Sequence, residues 1–170
     1  MAGTRRTAAR GMVAILVSSL FLSIAPEAGA HHFERYRRQR GHIENRVKSQ
    51  LGDAYRYGGD GPRGYDCSGL TKWTFRDHGA RLPRRSIDQY RLAGENGAVR
   101  VKRRKNLRRG DLVFFKTTSA PVGHAGIYVG HGKFVSATSS KGVAKRSVWD
   151  RYYWGRRWVG GVRLRVTRKR

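Results

Sequence analysis

The sequence contains a single cysteine, Cys67, within a short motif at positions 64–70. A lone cysteine is most often a small buried hydrophobic residue, so a reactive thiol needs support from its surroundings. Residues 67–78 follow a helical pattern, and Gly79 is a suitable terminator. Cys67 is therefore predicted at a helix N-terminus, with Asp66 as the capping residue. Because unpaired amides and the helix dipole favour a thiolate there, we interpret Cys67 as a nucleophile.

A nucleophilic thiol needs an imidazole that accepts its proton and later protonates the leaving amine. Five of the six histidines lie in a polar lead-in, a first helix, a helix end or a glycine-flanked turn: His31, His32, His42, His78 and His131. His124 is different, because it opens an apolar strand pattern after a loop that contains Pro121 and Gly123. We therefore assign His124 as the candidate general base.

Ser136 is the candidate for a third residue that holds the imidazole. A hairpin around residues 130–132 with a three-residue loop would place His124 and Ser136 on the same face of the sheet. A two-residue loop would place them on opposite faces. The Ser136 hydroxyl can accept an imidazole N–H, although it stabilises an imidazolium less than a carboxylate would.

Helical patterns come first in the chain. Apolar residues at four-residue spacing predict an amphipathic helix over about residues 42–51, ending before Gly52. A glycine-rich loop over residues 55–64 then allows close approach of the backbone to a ligand or another strand. After the helix at Cys67, residues 82–92 read as a turn that leads into a further helix.

Strand patterns follow the helices. Short strands separated by Gly and Pro are predicted at residues 112–115, 125–129 and 133–138, with a further pair within 142–149 and 157–166. Helices followed by antiparallel strands predict an α+β domain. Seven basic residues lie between positions 100 and 109, and we interpret this run as a solvated surface, with specific anion binding as the alternative.

The length and charge limit the class of protein. The 170 residues suit one compact domain, and 37 basic against 11 acidic residues give a formal net charge of +26. Such a charge indicates a polyanionic partner. Zinc-ligand spacing, a helix-turn-helix pattern and aromatic RNA-binding motifs are absent from the sequence, so we do not expect nucleic-acid binding.

Residues 1–30 are typical of a cleaved signal peptide, with a basic start, an apolar run over 12–24 and small residues before a cut near Ala30. The run is short of the roughly 20 apolar residues of a membrane span. Arg5 and Arg6 leave Sec and twin-arginine export both open. The expected organisation is a signal peptide at 1–30, a basic lead-in at 31–41, a catalytic domain at 42–167 and a basic tail at 168–170.

With residues 66–69, 110–115 and 123–128 in this order, the sequence resembles the NlpC-type cell-wall peptidases. The resemblance covers about residues 43–166. It implies a papain-like fold, in which N-terminal helices pack on an antiparallel sheet and the catalytic cysteine begins a helix. It also implies a cysteine peptidase that cuts peptidoglycan stem peptides between D-glutamate and a diamino acid, without a cofactor or metal.

The resemblance assigns roles by position. Cys67 matches the nucleophile, His124 the general base, and Tyr55 a tyrosine beside the oxyanion. Five residues match positions that recognise the free amino end of the substrate or line its groove: Asp66, Ser68, Arg85, Ser86 and Gln89. Ser136 departs from the family pattern, which usually has His, Asn or Gln at that position.

We therefore expect a secreted, monomeric peptidoglycan hydrolase whose positive charge holds it against anionic cell-wall polymers. The alternative is a basic wall-binding module on the same scaffold with attenuated catalysis. The two hypotheses differ in whether loss of the Cys67 thiol abolishes release of wall fragments while wall binding persists.

Overall fold

The helices lie in the first part of the chain, as the sequence predicts. The structure is a computed structural model that describes residues 27–165. Its α-helices are α1 (Glu27–Lys48), α2 (Cys67–Phe75) and α3 (Ser86–Arg91). Short 3-10 helices cover Arg76–His78, Arg104–Asn106 and Gly155–Arg157. Gly79, with φ of 75°, ends the helical stretch that begins at Cys67.

Antiparallel strands form the rest of the domain. A small hairpin pairs β1 (Asp60–Gly61) with β2 (Gly64–Tyr65). The main sheet contains β3 (Val99–Val101), β4 (Leu112–Phe115), β5 (His124–Gly130), β6 (Lys133–Thr138), β7 (Gly142–Ser147) and β8 (Trp158–Arg163). Its spatial order is β3-β8-β4-β5-β6-β7. Helices packed on this antiparallel sheet confirm the predicted α+β class.

Two apolar clusters form on opposite faces of the sheet. Successive side chains of a strand point to opposite faces, and Ile127 and Tyr128 accordingly belong to different clusters. The cluster on the helical side includes Leu70 of α2, so burial of apolar surface fixes α2 against β5 and β6. The cluster on the other face includes Phe115 and Trp154 and extends to the start of β5.

Helix α1 is longer than predicted. The sequence predicts an unstructured lead-in before residue 42, whereas the helix already includes Glu27 and ends at Lys48 rather than near residue 51. The basic lead-in is rich in residues with good helix propensity. The predicted signal-peptide cut near Ala30 falls within this helix. Residues 1–26 and the predicted basic tail at 168–170 lie outside the described residues. Between residues 27 and 165, no helix combines the length and apolarity of a membrane span.

A buried ionic cluster ties the two ends of the described chain to β4. Asp111 has no exposed surface, and its carboxylate accepts hydrogen bonds from Arg40 at 2.8 Å and from Arg163 at 2.8 and 3.0 Å. The backbone amide of Arg108 donates a further bond at 2.8 Å. Buried charges are tolerated when they are paired in this way.

The basic run at positions 100–109 is only partly a solvated surface. Strand β3, which the sequence analysis missed, occupies its beginning and pairs with β8, and Val101 and Leu107 are buried. The Arg100 guanidinium lies 3.5 Å from the centre of the Tyr90 ring. The apolar residues of this run are therefore in the core, while most of its basic residues face solvent.

Candidate active site

Cys67 is the first residue of α2, as predicted. The Asp66 side chain caps the helix by accepting a hydrogen bond from the Gly69 amide at 2.8 Å. A Cβ atom at Gly69 would lie 1.9 Å from the carbonyl oxygen of Gly59, so α2 contacts the glycine-rich loop directly. The close approach permitted by that loop is therefore between two backbone segments, and it fixes the start of α2.

The Cys67 thiol is less acidic than the sequence analysis expected. Burial raises its pKa above the ordinary value, and the negative charge of Asp66 acts in the same direction. Hydrogen bonds from the backbone amides of Ala125, Ser68 and Cys67 itself lower the pKa but do not offset the burial. The expectation of a thiolate stabilised by the helix N-terminus is therefore wrong for the resting site, where burial is the larger effect.

The amide contact from Ala125 places the sulfur at the beginning of β5, beside His124. His124 is 7% exposed. Burial lowers its pKa to about 4, and the positive charge of Arg146 contributes to this shift, while Asp66 opposes it. At neutral pH the imidazole is uncharged and able to accept a proton. The resting pair is thus a thiol and a neutral imidazole.

Aromatic packing holds the His124 imidazole. Its ring centroid lies 4.9 Å from the Trp154 ring and 6.4 Å from the Phe115 ring. Its Nε2 atom is buried and has no hydrogen-bond partner among the described residues, and the same is true of the buried Ser136 hydroxyl. The expected hydrogen bond between Ser136 and His124 is absent from the described structure, so rings rather than a hydroxyl restrain the imidazole.

The β5–β6 hairpin combines features of both loop lengths considered from the sequence. His131 and Gly132 form a two-residue turn, with φ of 50° and 69°, between the paired residues Gly130 and Lys133. An irregularity between Tyr128 and Gly130 inserts one residue into β5 and shifts the register. This bulge returns Ser136 to the face that carries His124.

Tyr55 lies close enough to the thiol for their charges to interact. Burial raises the pKa of its phenol, and the negative charges of Cys67 and Asp66 raise it further. The phenol therefore keeps its proton and can donate a hydrogen bond. This geometry is compatible with the predicted place beside an oxyanion, which stays a prediction.

Asp66 and Ser68 form a polar cluster with Arg84, which the sequence analysis did not select. The Arg84 guanidinium donates to both carboxylate oxygens of Asp66 and, at 3.0 Å, to the Ser68 hydroxyl. The amide of Gly58 donates to the same carboxylate at 3.1 Å. Arg84 and Arg85 are adjacent arginines, and the sequence gives no signal for which of them turns towards the site.

The three other predicted substrate residues differ in exposure. Arg85 is exposed and pairs with Asp88 at 2.8 Å, and the Ser86 hydroxyl lies 3.4 Å from the carbonyl oxygen of Val122. Gln89 has no exposed surface, and its amide nitrogen donates to the carbonyls of Ser68 and Pro83 at 2.9 Å. Direct contact of Gln89 with substrate is therefore a wrong expectation, because the side chain instead fixes α3 against the start of α2.

A comparison with known protein families finds one match, which covers most of the described domain. The family model described as the NlpC/P60 family matches residues 52–163, which include the thiol, the imidazole and the whole main sheet. The chain belongs to the NlpC/P60 family.

Two curated relatives carry different activities in their names. A murein DD-endopeptidase of Escherichia coli, MepH, is 37% identical over 123 residues, covering 71% of this chain and 44% of the relative. A gamma-DL-glutamyl hydrolase of Bacillus subtilis is 36% identical over 126 residues, covering 72% of this chain and 29% of the relative. The chain thus spans less than half the length of either protein.

The fold agrees with that of a solved peptidoglycan hydrolase. The structure of the peptidoglycan hydrolase RipB from Mycobacterium tuberculosis superposes with a TM-score of 0.60 at 26% sequence identity. The match covers 85% of this chain and 70% of RipB. Similarity over this span includes both the helical part and the sheet that carry the candidate site.

Proposed function

We propose that the protein is a cysteine peptidase that hydrolyses amide bonds in peptidoglycan stem peptides. The observation that carries the proposal is the position of the Cys67 sulfur, at the N-terminus of α2 and within hydrogen-bonding reach of the Ala125 amide, directly after His124. Family membership and the names of the relatives support a cell-wall substrate.

The first half of the reaction is acylation of the thiol. His124 accepts the thiol proton as the sulfur of Cys67 bonds to the substrate carbonyl carbon, whose oxygen becomes an oxyanion. Donors at the start of α2, together with the Tyr55 hydroxyl, are suited to stabilise that oxygen. The imidazolium then returns the proton to the departing amine, the C–N bond breaks, and a thioester remains on Cys67.

The second half is hydrolysis of the thioester. His124 accepts a proton from water as the water oxygen bonds to the thioester carbon, and the C–S bond breaks when the tetrahedral intermediate collapses. The proton returns to sulfur, which restores the thiol and the neutral imidazole. The depressed pKa of His124 supports this scheme, because the base is uncharged before each half-reaction.

Substrate recognition is proposed at the cluster of Asp66, Ser68 and Arg84. It carries a carboxylate for the free amino end of a stem peptide and a guanidinium for a carboxylate. Arg85 and Ser86 extend the same surface. We infer cleavage between D-glutamate and the diamino acid, although the relatives' names include both DD and gamma-DL activities.

The location that suits this reaction is the cell wall, reached by export and removal of residues 1–30. Ser136 stays the predicted third residue of the site, and its hydroxyl makes no hydrogen bond to the imidazole in the described structure. The protein acts as a monomer in this proposal, because all the proposed catalytic groups belong to one chain.

The proposal is tested by digesting purified peptidoglycan and identifying the released fragments by mass spectrometry. We expect the wild-type chain to release fragments with new D-glutamyl carboxyl ends, and the Cys67→Ala variant to release none while it still sediments with the wall. Arg63→Ala, an exposed residue outside the site, is the matched control and should retain release. Release by Cys67→Ala would refute the mechanism, and binding without release by the wild-type chain would favour the attenuated module.

A further inference from the structure

A basic cleft lies along β7, the edge strand of the main sheet. Its volume is about 380 Å³. The residues that line it come from β6, the turn before β7, β7 itself and the turn after it: Lys133, Lys141, Lys145, Arg146, Ser147, Asp150 and Trp154. Four of the seven are cations, which is a concentration of charge that a folded protein does not place together without cost.

The cations of this basic cleft are not neutralised within the described chain. Among residues 27–165, Lys133, Lys141 and Lys145 form no ion pair, and all three are exposed. Arg146 donates only to neutral oxygens, the Lys145 carbonyl at 3.2 Å and the Thr138 hydroxyl at 3.3 Å. The charges are therefore available to a ligand.

The one acidic residue of the lining is engaged elsewhere. The Asp150 carboxylate accepts hydrogen bonds from the backbone amides of Tyr152, Tyr153 and Trp154 at 3.1 to 3.2 Å. It organises the turn after β7 and does not pair with the lysines. A ligand that balances the cleft must therefore bring several negative charges of its own.

The basic cleft adjoins the candidate active site through Trp154. The same ring that lines the cleft packs against the His124 imidazole at 4.9 Å. The cleft and the candidate active site therefore share the Trp154 ring.

The composition of the cleft favours phosphate groups. Three of its four cations are lysines, which bind phosphate as point charges, and the fourth is an arginine, whose planar guanidinium also matches phosphate. Trp154, the aromatic residue of the described lining, is buried, whereas Trp149, Tyr152 and Tyr153 of the same turn are exposed. The cleft is therefore suited to a phosphodiester polymer, and the proposed cell-wall function is the reason for choosing one without bases over nucleic acid.

We propose that this basic cleft binds a phosphate-bearing cell-wall polymer and holds the enzyme beside its substrate. The proposal rests on the proposed function for the choice of a wall polymer. A lysine on an edge strand, such as Lys145, also prevents pairing with other chains, which needs no ligand. The experiment separates this role from polymer binding.

The experiment measures binding of poly(glycerol phosphate) to the full chain carrying Cys67→Ala. The cleft variant adds Lys133→Gln, Lys141→Gln and Lys145→Gln. The control variant adds Lys105→Gln, Lys116→Gln and Arg156→Gln, which removes the same charge from exposed positions outside the cleft. Arg146 and Trp154 are left intact because both influence His124.

We expect the cleft variant to bind roughly tenfold more weakly at moderate salt, and the control variant to stay within about threefold of the parent. Equal losses in the two variants, or no binding by the parent, would overturn the proposal. Tighter binding of an oligodeoxythymidine of equal charge, with the same dependence on the three lysines, would assign the cleft to nucleic acid instead.

The rate of peptidoglycan digestion provides an independent test of the cleft. In the background with Cys67 intact, the cleft variant should digest peptidoglycan stripped of phosphate polymers at the wild-type rate, and should be slower only on walls that retain them. If the cleft variant loses binding of the phosphate polymer but still digests stripped peptidoglycan, the lost function is that of the cleft and the proposed catalytic function is unaffected. A cleft variant that digests both substrates equally well would refute a role for the cleft in positioning the enzyme.

Discussion

The protonation state of the resting thiol and imidazole is the most direct test of the site's electrostatics. Burial and Arg146 lower the pKa of His124 from its ordinary 6.5 to about 4. This change corresponds to roughly 3 kcal/mol against the imidazolium. Burial also raises the pKa of Cys67 above its ordinary 9.0. Between about pH 4 and pH 9 the structure therefore favours the neutral thiol and imidazole over a thiolate–imidazolium pair.

Two measurements follow from the neutral pair. The acid limb of kcat/KM on a stem peptide should fall near pH 4, where His124 becomes protonated, and activity should persist to above pH 9. The ultraviolet absorbance of the thiolate should be absent at neutral pH in both the wild-type chain and His124→Ala. A neutral-pH thiolate signal that disappears in His124→Ala would show an ion pair and refute the reasoning.

The same shift makes stability depend on pH. Since the folded-state pKa of His124 is depressed, the unfolded chain binds this proton first as the pH falls from 6.5 to about 4. The free energy of unfolding therefore keeps its full value above pH 6.5 and falls by up to roughly 3 kcal/mol between pH 6.5 and about pH 4. The measurement is denaturant unfolding at pH 6.5 and at about pH 4. The difference between Cys67→Ala and the double variant Cys67→Ala, His124→Gln isolates the part that His124 contributes. An unchanged pH dependence in the double variant would contradict the assigned pKa.

Further substitutions test the supports of the site. Asp111→Asn should lower the free energy of unfolding by about 3 kcal/mol or more, because the guanidinium groups of the buried Arg40 and the partly buried Arg163 lose their carboxylate. The more exposed Asp88→Asn should change it little. Trp154→Ala should reduce kcat about a hundredfold, because the imidazole is no longer held in position. It should also move the acid limb of the pH profile to higher pH, because the imidazole becomes exposed to solvent. Trp154→Phe should partly restore both properties. Ser136→Ala should change kcat by less than about threefold, since its hydroxyl makes no hydrogen bond to the imidazole. Gly69→Ala should lower both the melting temperature and kcat, because its Cβ would overlap the backbone of the glycine-rich loop.

Local signals in the sequence were sufficient for the elements that carry the reacting groups. Asp66 and Gly79 mark the two ends of the helical stretch at Cys67, and short apolar runs bounded by Gly and Pro mark β4 to β6. These signals act between residues close in sequence, so they can be read without the fold. Strand β3 was missed because its three residues lie beside a run of charges, and its partner β8 is about 60 residues away.

Properties that depend on distant parts of the chain could not be predicted. Which of Arg84 and Arg85 meets Asp66 depends on how α3 packs on α2, a contact between residues 18 positions apart. The acidity of Cys67 was predicted in the wrong direction, because helix amides are evident from sequence whereas burial is not. The bulge in β5 also lacks a sequence signal, although it decides the face on which Ser136 lies.

The support of the imidazole differs from the hydrogen-bonded arrangement that a catalytic triad suggests. An acceptor at Nε2 would stabilise the imidazolium and raise the pKa of His124, whereas Trp154, Phe115 and burial leave the neutral form favoured. The site therefore forms the charged imidazolium only while substrate bonds are changing, when the oxyanion is present to offset it. A serine in place of a stronger acceptor is consistent with this arrangement, because an aromatic enclosure can fix the ring without fixing its charge.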